Sequence, residues 1–517
     1  MYINYNIVNG IEYGTVTTSV RDGKKVGKSK GIYLGRVIDK ERGIFKSRER
    51  GIFTYNLETN TFGSVPADYQ EPKISRKTKY LKRPELVVSF GDIYLLDEYL
   101  KRCGFNAALD AIGYRNPDSL YALLSYYILS PHANSHAQDW WELTYARFLY
   151  PRAQLASQRI SEMLADIGSE DAKRRFFREY FRFLETQDTG KDDEIEGIDD
   201  GVLIDSSGLP NSIRFPLTAV NNHNGVISEE IRLIYVVQQR TGMPLFFRYV
   251  AGNIIDVSTI TRTIAELKAN GVNTKFAILD AGYYTGANAD TLIDGGISFV
   301  ARMKSNFKVY KRAVKNHLDR LESRENAVLY NKRIVYIKCI PCRIGSKEDK
   351  PAYAYLCKDM AMQHEMEKHT IERAGDENLS DSDIFDDLKK QGVFVLISTR
   401  KIAKEKLLPT YYMRDQVEKI FELCKQEGKI LPLNVENEDT FRGHLMMTFM
   451  ATAILKMMTE VLKKTSLTTE SMFMSLHEHH AVVYDKELIT AEPAKRMNEA
   501  YKAFKVQCPV TIPYQAS

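Results

Sequence analysis

The sequence predicts a mixed α/β protein of several domains, preceded by a small basic β module. Three observations lead there. At 517 residues the chain is too long for one compact core. Short β-like runs separated by glycine turns fill roughly its first 70 residues. Apolar strand runs then alternate with helical periods over 201–304, and the alternation resumes from residue 393.

Residues 1–84 contain GIEYGTVTTSV, KGIYLGRVI and RGIFTYNLETNTF, which predict a small antiparallel module with basic turns. This stretch holds 17 Lys/Arg against 8 Asp/Glu, a balance of +9, so the other 433 residues sum to −4 within the net +5. A basic module on a slightly acidic body suits a polyanionic partner, although a solvated lysine-rich surface has the same composition. Over 85–200 the texture is helical, as in GDIYLLDEYLKRCGF, DSLYALLSYYIL and DAKRRFFREYFRFLE. A DNA-binding region is expected there, though any small helical bundle reads alike. The acidic run TQDTGKDDEIEGIDDG closes it as a linker.

The strand candidates of 201–304 are GVLID, LTAV, IRLIYVVQQ and PLFFRYV. A helix follows, with Val257, Ile260, Ile264 and Leu267 on one face and Asp256 or Ser258 as its cap. Strand FAILD, a helix around ANADTLI and strand ISFVAR complete the unit. Residues 305–392 read as a β-rich insertion with AVLYNKRIVYIKCI, AYAYLCK and an acidic loop, GDENLSDSDIFDD. The core resumes over 393–475, with a strand, a long helix from about 410 and another through HLMMTFMATAILKMMTEVL; 476–517 reads as a C-terminal tail.

Several function classes are disfavoured. The apolar stretch Met446 to Met458 is too short to span a bilayer and is interrupted by Lys456. The N-terminus lacks a basic start and an apolar signal core, and six cysteines lie scattered without framework spacing. A soluble cytoplasmic protein with reduced thiols is expected, with no membrane partner. No complete G-x4-G-K-[ST] phosphate loop is present, since Gly27-Lys28-Ser29 has Asp22 where the first glycine would stand. Cys339-x2-Cys342 and His364-x4-His369 are separated by 21 residues, too many for the usual zinc finger. His477, His479 and His480 read as helix-end or loop residues, and Trp140-Trp141 as core.

Two apolar runs end in an acid followed by small residues: VLIDSSG at Asp205 and FAILDAGYY at Asp280. A carboxylate held rigidly at a strand end can face a cleft, as a metal site requires, but strand-end aspartates are also common turn formers. In the helix YYMRDQVEKIFELCKQ, Tyr411, Arg414, Glu418 and Lys425 fall within an arc of about 60° at about 100° per residue. Val417, Ile420, Phe421 and Cys424 form a separate apolar stripe for burial. On its own, Arg414–Glu418 is also an ordinary i,i+4 surface pair.

The spacing Tyr411-x2-Arg414-x3-Glu418-x6-Lys425 resembles the Tyr-Arg-Glu-Lys signature of the bacterial DDE transposases typified by insertion sequence four. LIDSSGLPNSI, TGMPLFFRYVAGNIIDVSTI, FAILDAGYYTGANADTLIDGGISFVARMKSN and FRGHLMMTF are similar to that group in the same order, over roughly 200–305 and 390–460. The resemblance implies a ribonuclease-H-like catalytic core interrupted by a β-rich insertion. It implies Asp205, Asp280 and Glu418 as catalytic residues and ligands of two Mg²⁺ or Mn²⁺ ions. Tyr411, Arg414 and Lys425 would hold the DNA strand, with Arg302 and Lys304 adding phosphate contacts. The implied activity is that of an endonuclease and strand-transfer enzyme on terminal inverted repeats and target DNA, acting as a homodimer in bacterial cytoplasm at the nucleoid.

One departure concerns excision through a hairpin, in which members of the group hold a flipped base on a tryptophan of the insertion. Here the insertion has no tryptophan and offers Tyr310, Tyr330, Tyr336, Tyr353 and Tyr355 instead. The alternative readings are an inactive transposase-derived DNA-binding regulator and a ribonuclease-H-like nuclease without strand transfer. A metal-free carboxylate enzyme such as a glycosidase would resist EDTA and ignore DNA.

Overall fold

The computed structural model describes residues 1–8, 11–22, 25–28, 31–66, 69, 86–187, 201–211, 217–223, 226–254, 259–272, 274–364, 390–426, 430–431, 437–484 and 487–514. The chain forms two compact units, Met1–Arg83 and Pro84–Ser517. The proposed caps Asp256 and Ser258 and the acidic runs at 188–200 and 375–387 lie outside the described residues, as does His369.

The first unit is β throughout its described residues. Strands β1 (Tyr2–Val8), β2 (Ile11–Thr17), β5 (Ile32–Asp39), β6 (Ile44–Ser47), β7 (Gly51–Asn56) and β8 (Thr61–Gly63) form an antiparallel sheet in that order. Strands β3 (Ser19–Asp22) and β4 (Lys25–Lys28) pair as a separate hairpin. Period-two alternation drives Val16, Leu34, Phe45, Phe53 and Tyr55 to one face, where they form a small core. Gly35 occupies a bulge at positive φ, and a Cβ there would strike the Lys46 carbonyl, so this crossing requires glycine.

The second unit opens with a short strand, β9 (Leu86–Ser89), and seven helices: α1 (Gly91–Cys103), α2 (Asn106–Ala111), α3 (Pro117–Leu129), α4 (Ala137–Leu143), α5 (Ala146–Leu149), α6 (Ser157–Ile167) and α7 (Glu170–Gln187). Helix α3 begins where expected of its sequence, with Pro117 at its first position and the Asn116 side chain accepting from the Ser119 N–H. Phe176, Phe177 and Tyr180 of α7 are fully buried.

A ten-stranded sheet follows. Its first part comprises β10 (Gly201–Pro210), β11 (Ala219–His223), β12 (Val226–Gln238), β13 (Pro244–Ala251), β14 (Phe276–Leu279) and β15 (Ser298–Met303), with helices α8 (Ile260–Ala269) and α9 (Gly286–Asp294) between strands. β10 pairs antiparallel with β12 and parallel with β14, which pairs parallel with β15. Helix α10 (Lys308–His317) then leads to β16 (Ala327–Tyr330), β17 (Arg333–Ile344), β18 (Lys350–Asp359) and β19 (Val393–Ser398). These four continue the same sheet beyond β15 in the order β19-β18-β17-β16, so the β structure of the insertion extends the core sheet.

Helices α11 (Lys404–Tyr412), α12 (Asp415–Gln426), α13 (Glu438–Leu462) and α14 (Thr469–His477) follow, then β20 (His480–Tyr484), β21 (Glu487–Thr490), α15 (Lys495–Ala503) and β22 (Thr511–Pro513). Helix α13 is long and apolar enough to cross a membrane by length and composition, yet 78% of its most apolar window is buried inside the protein. It packs so tightly on α6 that a Cβ on Gly443 would run into the Leu164 carbonyl. The C-terminal segment is folded: β20 pairs with β9, and the His477 ring bonds to Asp92 of α1 at 2.9 Å. His479, placed by its sequence at a helix end or loop, is 1% exposed and bonds to Tyr501 and the Ala491 carbonyl.

Candidate active site

The parallel pairing of β10 with β14 ends at Ile204↔Leu279, and that of β14 with β15 at Leu279↔Ala301. The next residues along the three strands are Asp205, Asp280 and Arg302. They stand side by side at the carboxyl edge of the parallel strands, where open α/β sheets present ligand sites. The two acids are anchored differently. β14 stops before Asp280, whose carbonyl accepts from the Tyr283 N–H in a short 3-10 turn. Asp205, expected at a strand end, lies within β10: the strand runs on to Pro210 because β12 continues to pair with it, Asp205 opposite Tyr235. Its Oδ1 accepts from the Ser206 N–H at 2.8 Å.

The third acid comes from the helical layer. Val417, Ile420 and Cys424 are at most 1% exposed, and Phe421 packs edge-on against Tyr235 at 5.3 Å. This stripe seats α12 on β10 and β12 and brings Glu418 to the edge of the cleft. Lys425 donates to Ser207 Oγ at 2.7 Å. Ser207 was not singled out from the sequence, though strand alternation places it on the same face of β10 as Asp205.

The single helix expected to carry Tyr411, Arg414, Glu418 and Lys425 is two. Helix α11 ends at Tyr412 and α12 begins at Asp415. Between them Arg414 N–H bonds to the Tyr411 carbonyl and Val417 N–H to the Arg414 carbonyl, three-residue spacings that tighten the chain. Asp415 suits the start of a new helix, where a carboxylate meets the positive dipole end. The break leaves Tyr411 on α11 and Glu418 and Lys425 on α12, with Arg414 in the turn. Tyr411 is 3% exposed, burial pushing its hydroxyl well above the ordinary range. Arg414, in the turn, keeps its i,i+4 pairing with Glu418 and also reaches the strand-borne acids.

The Arg414 guanidinium ties the site together. Its Nη1 lies 2.6 Å from Asp280 and 3.8 Å from Asp205, and its Nη2 lies 3.0 Å from Glu418. Burial works to lower its pKa, but Asp280, Tyr411, Asp205 and Glu418 together raise it above its usual value. Three carboxylates from β10, the end of β14 and α12 thus converge on one cation. Hard, charged oxygen donors of this kind fit Mg²⁺ or Mn²⁺. Among the described residues no three carboxylate, imidazole or thiol groups are gathered closely enough to share one metal ion. What these three share is the guanidinium.

Residues 200–454 match the family model of the transposase DDE domain. The matching segment runs from the start of β10 into α13, and it contains all three acids and Tyr411, Arg414 and Lys425. No curated protein matches the sequence. Among solved structures, the chain is similar to the piggyBac transposase synaptic complex with hairpin DNA, determined by cryo-EM. The match has 11% identity and a TM-score of 0.38, and covers 75% of this chain and 79% of that one.

Arg302 and Lys304 line an open cavity of about 490 Å³ beside Asp280, together with Ala281, Asn306, Tyr310 and Phe394. Arg302 lies over the Phe394 ring at 5.2 Å. Of the insertion tyrosines, Tyr355 is fully buried and its hydroxyl donates to the Ile402 carbonyl. Tyr330 stacks on Tyr412 at 5.5 Å, with Arg333 over both rings. Tyr310 donates to the Val393 carbonyl at 3.3 Å. Tyr336 and Tyr353 are partly buried. Trp140 packs edge-on against Tyr126, and Trp141 donates to the Tyr150 carbonyl. All six cysteines are free thiols.

Proposed function

We propose that this protein is a DNA transposase of the insertion-sequence-four group that cuts and rejoins the terminal inverted repeats of its own element. The observation that carries the reading is the meeting of Asp205, Asp280 and Glu418 at one cationic point within the segment that matches the DDE domain. A ribonuclease-H-like core is supported by the antiparallel β10, β12 and β13, flanked by parallel β14 and β15.

Asp205, Asp280 and Glu418 would hold two Mg²⁺ or Mn²⁺ ions. When bound, such ions stabilise charge on the attacking and leaving oxygens of a phosphodiester and lower the pKa of the attacking hydroxyl or water. The chain's own residues do the positioning. Asp205, fixed by strand register, and Asp280, fixed by the turn after β14, set the floor of the site. Glu418 closes it from α12, held by the buried stripe and by Lys425 on Ser207. Arg414 and Lys425 supply positive charge for the phosphates near the scissile bond, and Arg302 and Lys304 extend it along the adjoining cavity. Tyr411, buried beneath, packs the hinge that aims Arg414. Its partners are double-stranded element ends and target DNA; a homodimer would join two ends in step in bacterial cytoplasm.

The deciding experiment is strand cleavage of labelled element-end DNA with Mg²⁺, comparing the protein with Glu418→Gln. Nicking at the element boundary by the wild type alone is expected. End-specific binding without cleavage by either protein, in Mg²⁺ and Mn²⁺, would make it a DNA-binding regulator. Equal cleavage by both would remove Glu418 from the site. A hairpin product would fix the excision route.

A further inference from the structure

The Arg414 guanidinium occupies the point toward which all three carboxylates are directed, with nitrogen–oxygen distances of 2.6, 3.0 and 3.8 Å. Formal charge there is three negative against one positive. Two divalent ions about 3.5–4 Å apart would need the same oxygens. They would also repel a guanidinium left among those oxygens, in a cleft where 21% of the Arg414 side chain is exposed. Arg414 stands in the turn between α11 and α12, at the junction where the helical pattern breaks. Rotation about its own side-chain bonds can therefore carry its charge away from the acids.

We propose that Arg414 is a resident counter-cation of the acid cluster, competing with divalent ions for Asp205, Asp280 and Glu418 and yielding its place when they bind. This rests on the reading of the cluster as a metal site. While Arg414 is in place, it offsets repulsion among the carboxylates and keeps them converged. Once displaced, its charge lies at the rim of the cleft, where a DNA phosphate can take it up. Metal loading and strand binding then favour one another by linkage, because each removes the guanidinium from the acids or holds it away.

The test is calorimetric titration of Mn²⁺ into the full-length protein and into Arg414→Gln and Arg414→Lys, with Asp205→Asn as the site control. Arg414→Gln is expected to bind Mn²⁺ more tightly, by between about 5- and 150-fold, the usual span of a coupling between two ligands. Arg414→Lys, which keeps the charge on a different head group, should fall between it and wild type. In EDTA the Arg414→Gln protein should melt at a lower temperature than wild type, and Mn²⁺ should raise its melting point by more. Its cooperative melt also establishes that the variant is folded. Mn²⁺ affinity unchanged or weakened in Arg414→Gln, with Asp205→Asn still abolishing binding, would overturn the competition and leave the metal site standing. No Mn²⁺ binding by any protein, or binding indifferent to Asp205→Asn, would overturn both.

Discussion

At the scale of single residues, the site depends on groups that brace the acids. Lys425 reaches from α12 to Ser207 on β10, two positions along the strand from Asp205. Lys425→Ala should cost about 1 kcal/mol of stability, the usual net worth of one such hydrogen bond, measured by denaturant unfolding. On the proposed function it should also weaken DNA binding with little sequence preference, because the charge it removes would face a phosphate backbone. If Ser207→Ala lowers stability by a similar amount and leaves DNA affinity intact, the bracing and DNA-facing roles of Lys425 separate. Asp205 and Asp280 were read as acids closing apolar runs, although Asp205 lies within β10, and Glu418 entered through the spaced signature. Ser207 was equally available, since period two puts it on the same face as Asp205, but a lone serine carries no chemical signature.

At the scale of elements, two packing arrangements govern how the helical layer is held. Helix α13 packs against α12 and crosses α6 at Gly443, where a Cβ would meet the backbone of Leu164. Gly443→Ala should therefore destabilise by roughly 1–3 kcal/mol through overpacking, seen as a lowered denaturant midpoint. Cleavage should fall with it, because α12 shifts along with its support. The second arrangement joins α14 to α1. Its hydrogen bond to Asp92 raises the His477 pKa above the ordinary imidazole value. A raised folded pKa means that the charged form is favoured in the native state. The stabilisation is therefore complete below the unfolded pKa of about 6.5 and disappears as pH rises through the folded value. His477→Asn should lower the melting temperature most under mildly acidic conditions and least at alkaline pH. A difference independent of pH would show that packing, not charge, joins the two helices. The structured C-terminal segment was not apparent from sequence because its strand β20 finds its partner, β9, nearly 400 residues earlier.

At the scale of the molecule, charge is divided between the units. Residues 1–84 carry a balance of +9, and the rest of the chain −4. Within the first unit, Tyr13↔Arg36 and Arg36↔Lys46 are register partners, so Arg36 and Lys46 share the sheet face opposite the small core, beside the stacked rings of Tyr13 and Tyr33. Replacing both cations with glutamine should flatten the dependence of log affinity for DNA on log salt, by about one unit of slope for each phosphate no longer neutralised. An unchanged slope would place the electrostatic interactions with DNA elsewhere in the chain.

The sequence by itself determined the local facts. Alternating runs specified the strands of β10 to β15, the 3.6-residue period specified the buried stripe of α12, and the acids announced themselves by following apolar runs. Each is set within a dozen neighbouring residues, by propensity and by which side chains leave water. Three things were decided only in the tertiary structure. β10 runs past Asp205 because β12 pairs with it, the strands after β15 join the core sheet through β19, and the predicted single helix breaks at Arg414. For β10 and β19 the deciding partner lies far along the chain. A pattern read within one segment cannot register a strand partner that only folding brings alongside.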